Sequence, residues 1–230
     1  MILTTIFVKG RIYMKLQAVL FDMDGLLLDT ERLHIKCWEE KIKRDNKQMD
    51  IEGFKSTVCG SGGETRLVLK KIYGEDADFD LLMAEKNKIF KRYIDEKGIL
   101  IKPGAIELLD FLDKKAIRKF VVTSTYEERA HLFLKRAGLF ERFEDIIAGA
   151  SYKKGKPAPD LYNEALEKGN LNKERCIALE DSVNGIKACE TAQINVIAIP
   201  DMQELSHISS PYLIGRMESL FSVKDYIANT

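Results

Sequence analysis

Charge of one sign is the first thing missing from this chain: 36 lysines and arginines stand against 36 aspartates and glutamates in 230 residues. A broad basic field that could hold a phosphate backbone is therefore absent, as is an acidic tail that could mimic one, and nucleic acid is a poor partner. Paired cysteine spacing is missing too. Cys37, Cys59, Cys176 and Cys189 show no C-x-x-C and no matching histidine pair, which reads as reduced thiols in a cytoplasmic protein. No apolar run approaches the roughly 20 residues of a membrane span, so no membrane partner is expected. The opening "MILTTIFVKGRIYMKL" is apolar but lacks a basic leading region and a small-residue cleavage site, which argues against a signal peptide. His131 and His207 have no metal-ligand spacing, and there is neither a fixed-period repeat nor a low-complexity segment.

What remains is an ordinary globular composition, 45% apolar and 31% charged, in a length that suits one large domain or one domain with a smaller insert. The codons of Lys9-Gly10-Arg11 can form a purine-rich run that resembles a bacterial ribosome-binding site ahead of Met14. The natural start is therefore expected at Met14, with residues 1–13 an N-terminal extension; an extra strand there is the alternative.

From Ile101 onward, apolar runs alternate with amphipathic segments, the pattern of β-α-β units on a parallel sheet. Strands are expected at "LQAVLF" (16–21), "KFVVT" (119–123), "DIIAG" (145–149), "CIALE" (176–180), "NVIAI" (195–199) and "YLIG" (212–215). Helices are expected from near Pro103, over 127–137 closed by Gly138, over 159–168 and over 183–192. Residues 31 to about 98 hold only helical patterns, "ERLHIKCWEEKIKR", "GETRLVLKKIYG" and "DFDLLMAEKNKIFKRYIDEKG", which reads as a helical insert after the first strand.

In an open parallel sheet, ligands bind beyond the carboxyl ends of the strands. Four polar positions fall there: Asp22 and Asp24, Thr123 and Ser124, Lys156, and Glu180 with Asp181. Each alone is ordinary turn or cap chemistry, but in this order they are expected to converge on one edge. Rival motifs fail on spacing. Gly25 is fourth from Asp22 where a calcium-binding EF-hand loop needs glycine sixth; "GASYKKGKP" has one residue too many for a P-loop; "GSGGETR" lacks the third glycine of a dinucleotide site.

Phosphoryl transfer through an aspartyl phosphate fits all four. Asp22 is placed to attack, splitting one hard displacement into two easier ones. Asp24 would protonate the leaving oxygen and later take a proton from water, a role that needs Asp24 to carry a proton at the start. The charge that builds up requires neutralising. A Mg²⁺ held by the Asp22 carboxylate, the Asp24 carbonyl and the Asp181 carboxylate would do this, with Lys156 as a point charge and Thr123 as a hydroxyl donor.

"FDMDGLLLDTE", "VVTST", "GKPAPD" and "LEDSVNGIKA" closely resemble, in order, the four motifs of the haloacid dehalogenase superfamily. The insert resembles its helical-cap branch, which includes phosphatases and beta-phosphoglucomutase. The resemblance implies an α/β fold, a Rossmann-like parallel sheet core (14–30 and 99–230) with an inserted α-helical cap domain (31–98). It implies Asp22 as nucleophile and metal ligand, Asp24 as acid/base and metal ligand, and Glu180 and Asp181 as the acidic pair at the metal. Thr123 and Lys156 become the catalytic and substrate-binding residues of the second and third motifs, with Ser124, His34 and the cap glycine Gly60 at the substrate. Aspartate as the second acid of "DMD" resembles phosphotransferases and argues against carbon-halogen chemistry.

Two departures stand out. Ala192-Gln193 replaces a common Ala-Gly, which predicts a helix end that closes differently. In the mutase, an arginine after the cap glycine grips a second phosphate, whereas that place is Gly63 here, although Arg66 lies nearby in sequence and His34 matches a mutase-like histidine. Gly60, Gly62 and Gly63 suit a mobile lid. Trp38 is expected in packing. The resulting expectation is a Mg²⁺-dependent phosphatase of a small phosphorylated metabolite, a monomer by default. A hexose-phosphate mutase and a non-catalytic metal- or phosphate-binding regulator are the alternatives.

Overall fold

The computed structural model describes residues 7–8, 11–12, 15–50, 53–54, 64–149 and 154–229. They comprise β1 (Phe7–Val8), β2 (Arg11–Ile12), β3 (Ala18–Phe21), α1 (Thr30–Arg44), α2 (Glu64–Tyr73), α3 (Phe79–Lys97), α4 (Ala105–Lys114), β4 (Arg118–Tyr126), α5 (Glu127–Arg136), β5 (Asp145–Gly149), α6 (Asp160–Lys168), β6 (Cys176–Glu180), α7 (Val183–Ala192), β7 (Asn195–Ala198), β8 (Leu213–Arg216) and α8 (Leu220–Ala228). β1 and β2 pair as a short antiparallel ribbon. The chain divides into two compact units, one of 1–28 with 101–230 and one of 29–100.

The first unit is built on a six-stranded parallel sheet in the order β5-β4-β3-β6-β7-β8. β3 and β6 read as unbroken apolar runs because both sheet faces are covered, so every residue of each strand is buried. Alternation sends Ala18, Leu20, Phe120, Val122 and Ala178 into a core with Leu161, Tyr162 and Ala165 of α6 and Ile186 and Cys189 of α7. Phe21 lies opposite both Val121 and Leu179, so the next residue, Asp22, stands level with Val122 and Glu180. Its amide continues the ladder, donating to the Leu179 carbonyl at 3.0 Å.

Three departures from the sequence expectation bear on the fold, two at element boundaries and one at a helix cap. β4 runs on to Tyr126, three residues past Thr123, and shifts register against β5 on the way. α4 starts after Gly104, whose φ of 86° makes the entry turn, so Pro103 lies ahead of the helix. Gln193 ends α7 in the left-handed conformation, φ 60° and ψ 42°, which is the closure glycine would give. Lys173 donates to its Oε1 at 2.5 Å, a bond that helps hold the strained cap.

The second unit is helical. α1 and α3 pack through Ile35, Trp38, Ile42, Ile89, Phe90 and Ile94, all buried. Asp78 caps α3 by accepting from the Leu81 amide at 3.0 Å. No helix among the described residues is long and apolar enough to cross a membrane.

Candidate active site

The site begins where β3 stops. Asp22 is buried, and its Oδ1 accepts from Lys156 Nζ at 2.5 Å. The same ammonium lies 2.6 Å from Glu180 Oε1 and donates to the Val122 carbonyl at 2.7 Å. One lysine thereby ties together the ends of β3 and β6 and the middle of β4. Burial alone would push the Lys156 ammonium toward losing its proton, but Asp22 and Glu180 overcome this and hold its pKa above the ordinary value. Burial drives the Asp22 carboxyl well above the usual range, with Lys156 opposing and Glu180 and Asp24 adding to the rise. Carboxyl groups thus outnumber the ammonium they surround.

Asp181 is buried beside this group, and Asp22, Glu180 and Asp181 each offer a carboxylate oxygen, all within 4.8 Å of one another. An all-oxygen donor set with excess negative charge fits a hard cation such as Mg²⁺. Gly25, at φ 83°, makes room for the Asp181 carboxylate. A Cβ there would stand 2.1 Å from Asp181 Oδ2, so any larger residue collides with the carboxylate as well as straining the turn.

Asp24 has different surroundings. It is half-buried, its Oδ2 accepts from the Thr125 hydroxyl at 2.7 Å, and the Thr123 hydroxyl lies farther off at 3.4 Å. The Thr123 oxygen also accepts from the Thr125 amide at 3.1 Å. Ser124 points the other way along the strand, and its Oγ accepts from the Lys156 amide at 3.1 Å, fastening the lysine's loop to β4. Arg129, in the first turn of α5, is drawn below its usual basicity by burial while Asp24 works in the opposite direction.

Asp22, Asp24, Thr123, Ser124, Lys156, Glu180 and Asp181 therefore meet at one sheet edge. His34 lies in the helical unit, stacked on Phe90 with ring centroids 4.2 Å apart and its Nδ1 2.9 Å from Lys86 Nζ. Gly60, Gly62 and Gly63 lie outside the described residues.

Two participants escaped the sequence reading. Thr125 follows Thr123 by two, the strand period that puts both hydroxyls on one face, so its contact with Asp24 was available from spacing once β4 was extended. Tyr162 is fully buried and donates its hydroxyl to Glu180 Oε1 at 2.5 Å. A buried tyrosine requires such a partner, which was the available signal.

The model of the haloacid dehalogenase-like hydrolase family matches residues 19–199 of the chain. A phosphorylated carbohydrates phosphatase of Thermotoga maritima is 30% identical over 187 residues, covering 79% of this chain and 84% of that protein. The fructose-1-phosphate phosphatase YqaB of Escherichia coli is 27% identical over 192 residues, covering 81% of this chain and 98% of that protein. Among solved structures, CbbY of Rhodobacter sphaeroides in complex with phosphate matches with a TM-score of 0.73 and 27% identity, covering 90% of this chain and 96% of that one.

Proposed function

The chain belongs to the haloacid dehalogenase-like hydrolases, and from that premise we propose that it is a Mg²⁺-dependent phosphatase that hydrolyses a small phosphorylated metabolite, such as a sugar phosphate, through an aspartyl phosphate on Asp22. The observation that carries this reading is the unlike treatment of two neighbouring aspartates. Asp22 is clamped by an ammonium, while Asp24 is held by a hydroxyl.

In this reading Asp22 attacks phosphorus with the oxygen that Lys156 does not hold. Lys156 opposes the pull of burial on the nucleophile and offers its charge to the phosphoryl oxygens, joined there by the Thr123 hydroxyl. Asp24, oriented by Thr125, gives a proton to the leaving oxygen and then takes one from the water that opens the aspartyl phosphate. Asp22, Asp181 and the Asp24 carbonyl are assigned to hold Mg²⁺, and Glu180 completes the acidic group while its Oε1 secures Lys156. Bound Mg²⁺ supplies the positive charge that offsets carboxylate against phosphoryl oxygen. The named activities of the Thermotoga maritima and Escherichia coli relatives support phosphorylated sugars as the substrate class. Choice among them is assigned to the helical unit on the family resemblance.

Phosphate release from p-nitrophenyl phosphate with Mg²⁺ tests the chemistry. Asp22→Asn is expected to lower kcat by about 10³-fold or more, with folding retained. Activity that survives this substitution, or that is untouched by stripping divalent cations with EDTA, overturns the reading. Supplying beta-glucose 1-phosphate with a trace of its bisphosphate separates hydrolysis from mutase chemistry: free phosphate is expected, and rapid glucose 6-phosphate formation would displace the proposal.

A further inference from the structure

Resting on the phosphatase reading, we infer that Tyr162 is a positioning residue that sets the Lys156 ammonium against Asp22 by locking the rotation of the Glu180 carboxylate. Glu180 is wholly buried, and only one of its oxygens is anchored. Oε1 receives the Tyr162 hydroxyl at 2.5 Å and lies 2.6 Å from Lys156 Nζ. Oε2 has no hydrogen-bond partner among the described residues. A carboxylate anchored at one oxygen is free to turn about its terminal bond unless that oxygen is fixed from a second direction, since this torsion is broad. Tyr162 supplies the second direction.

The surroundings are cut to this arrangement. A Cβ at Gly185 would fall 1.9 Å from Glu180 Oε2, so α7 can pass the carboxylate only because that residue is glycine. Tyr162 reaches Glu180 from α6, six residues after Lys156 itself, so the segment that delivers the lysine also delivers the hydroxyl that aims it. The Lys156 ammonium sits 5.2 Å from the Tyr162 ring centroid, within range of attraction to the ring face. Among the described residues Tyr162 makes no hydrogen bond to Asp22 or Asp24; it acts through Glu180 and Lys156.

Tyr162→Phe removes one oxygen and keeps the ring. With p-nitrophenyl phosphate, kcat is expected to fall about tenfold or more, as small misplacements of reacting groups do, while KM and half-saturating Mg²⁺ stay near wild type and the thermal midpoint falls with the loss of one buried hydrogen bond. A residue that served packing alone would leave this split unseen. In a Glu180→Gln background the same change should alter kcat by less than about twofold, because both substitutions break one chain of contacts. Crystal structures of wild type and Tyr162→Phe give an activity-free readout: the Lys156 to Asp22 separation should lengthen beyond hydrogen-bonding reach, about 3.5 Å. Wild-type kcat in Tyr162→Phe, effects of the two substitutions that multiply, or an unchanged Lys156 to Asp22 contact each overturns the inference. Failure of the wild-type protein to hydrolyse any ester sinks the phosphatase reading instead, and the crystallographic comparison still decides the role of Tyr162.

Discussion

The two units contain the same four-group cluster in two settings. In the parallel-sheet unit Lys156 lies between Asp22 and Glu180, and Tyr162 donates to Glu180. In the helical unit Lys41 lies between Asp45 and Glu85, the latter at 2.8 Å, and Tyr73 donates to Asp45 at 2.7 Å. Even the ring placement repeats, with Lys41 Nζ 5.5 Å from the Tyr73 centroid. The carboxylates differ in exposure: side chains of Asp45 and Glu85 are 29% and 43% exposed, those of Asp22 and Glu180 11% and 0%. Burial raises the Asp45 carboxyl, but the bonds from Lys41 and Tyr73 win and its pKa ends below the ordinary value. For Asp22 burial wins, and two more carboxylates stand close by. Equal chemistry thus gives a relaxed ion pair near water and a strained, charge-hungry one in the interior. Only the second arrangement suits a nucleophile that awaits a cation and a phosphoryl group.

Removing each lysine is the strongest way to break that comparison. Lys156→Met leaves two buried carboxylates without their cation, which is expected to cost about 3–5 kcal/mol and to lower kcat by about 10²–10³-fold. Lys41→Met leaves carboxylates that water can reach, for a cost of about 1 kcal/mol and no change in kcat. Urea unfolding and phosphate release measure both, and the single tryptophan, Trp38, reports the helical unit. Equal losses from the two substitutions would show that exposure is not what separates the clusters.

How far each cluster was legible follows from the same contrast. Asp22, Glu180 and Asp181 could be assembled from sequence because parallel strands buried on both faces leave unbroken apolar runs whose closing residues fall at one edge, and Lys156 joins them from the loop that follows the β5 run. Tyr162 and Thr125 could not be placed that way. Tyr162 lies on a helix whose facing strand is set by tertiary packing, and Thr-Ser-Thr is ordinary turn chemistry, which hides the continuation of β4 through Thr125. Gln193 shows the opposite error, a local steric rule applied where a distant lysine supports the strained residue. In the helical unit, Lys41 and Asp45 have the four-residue spacing of a helix-surface pair, whereas Glu85 and Tyr73 join them only through the fold.

Within the sheet unit, the two hydroxyls near Asp24 sharpen the contrast between clamped and lightly held acids. Thr125→Val removes the shorter bond to Asp24 and is expected to lower kcat by about tenfold, in keeping with misdirected acid/base chemistry, while stability falls by about 1 kcal/mol. The loss should shrink with p-nitrophenyl phosphate, whose leaving group needs little proton assistance, and be full with an alkyl phosphate such as glucose 6-phosphate. Equal losses on both esters would remove Asp24 from the proton-transfer role.

The smallest effect belongs to the exposed cluster and depends on pH. Because the folded Asp45 carboxyl is more acidic than its unfolded counterpart, its ion pair adds stability above the unfolded value, about 3.9, and loses it as pH falls through the lower folded value. At neutral pH, Asp45→Asn should unfold about 1 kcal/mol more easily than wild type when followed by Trp38 fluorescence, with phosphate release unchanged. That gap should hold down to about pH 5, begin to narrow near pH 3.9 and vanish below the folded pKa. A gap that persists in acid would mean that Asp45 contributes through something other than its charge, and the likeness between the two clusters would then lie in shape alone.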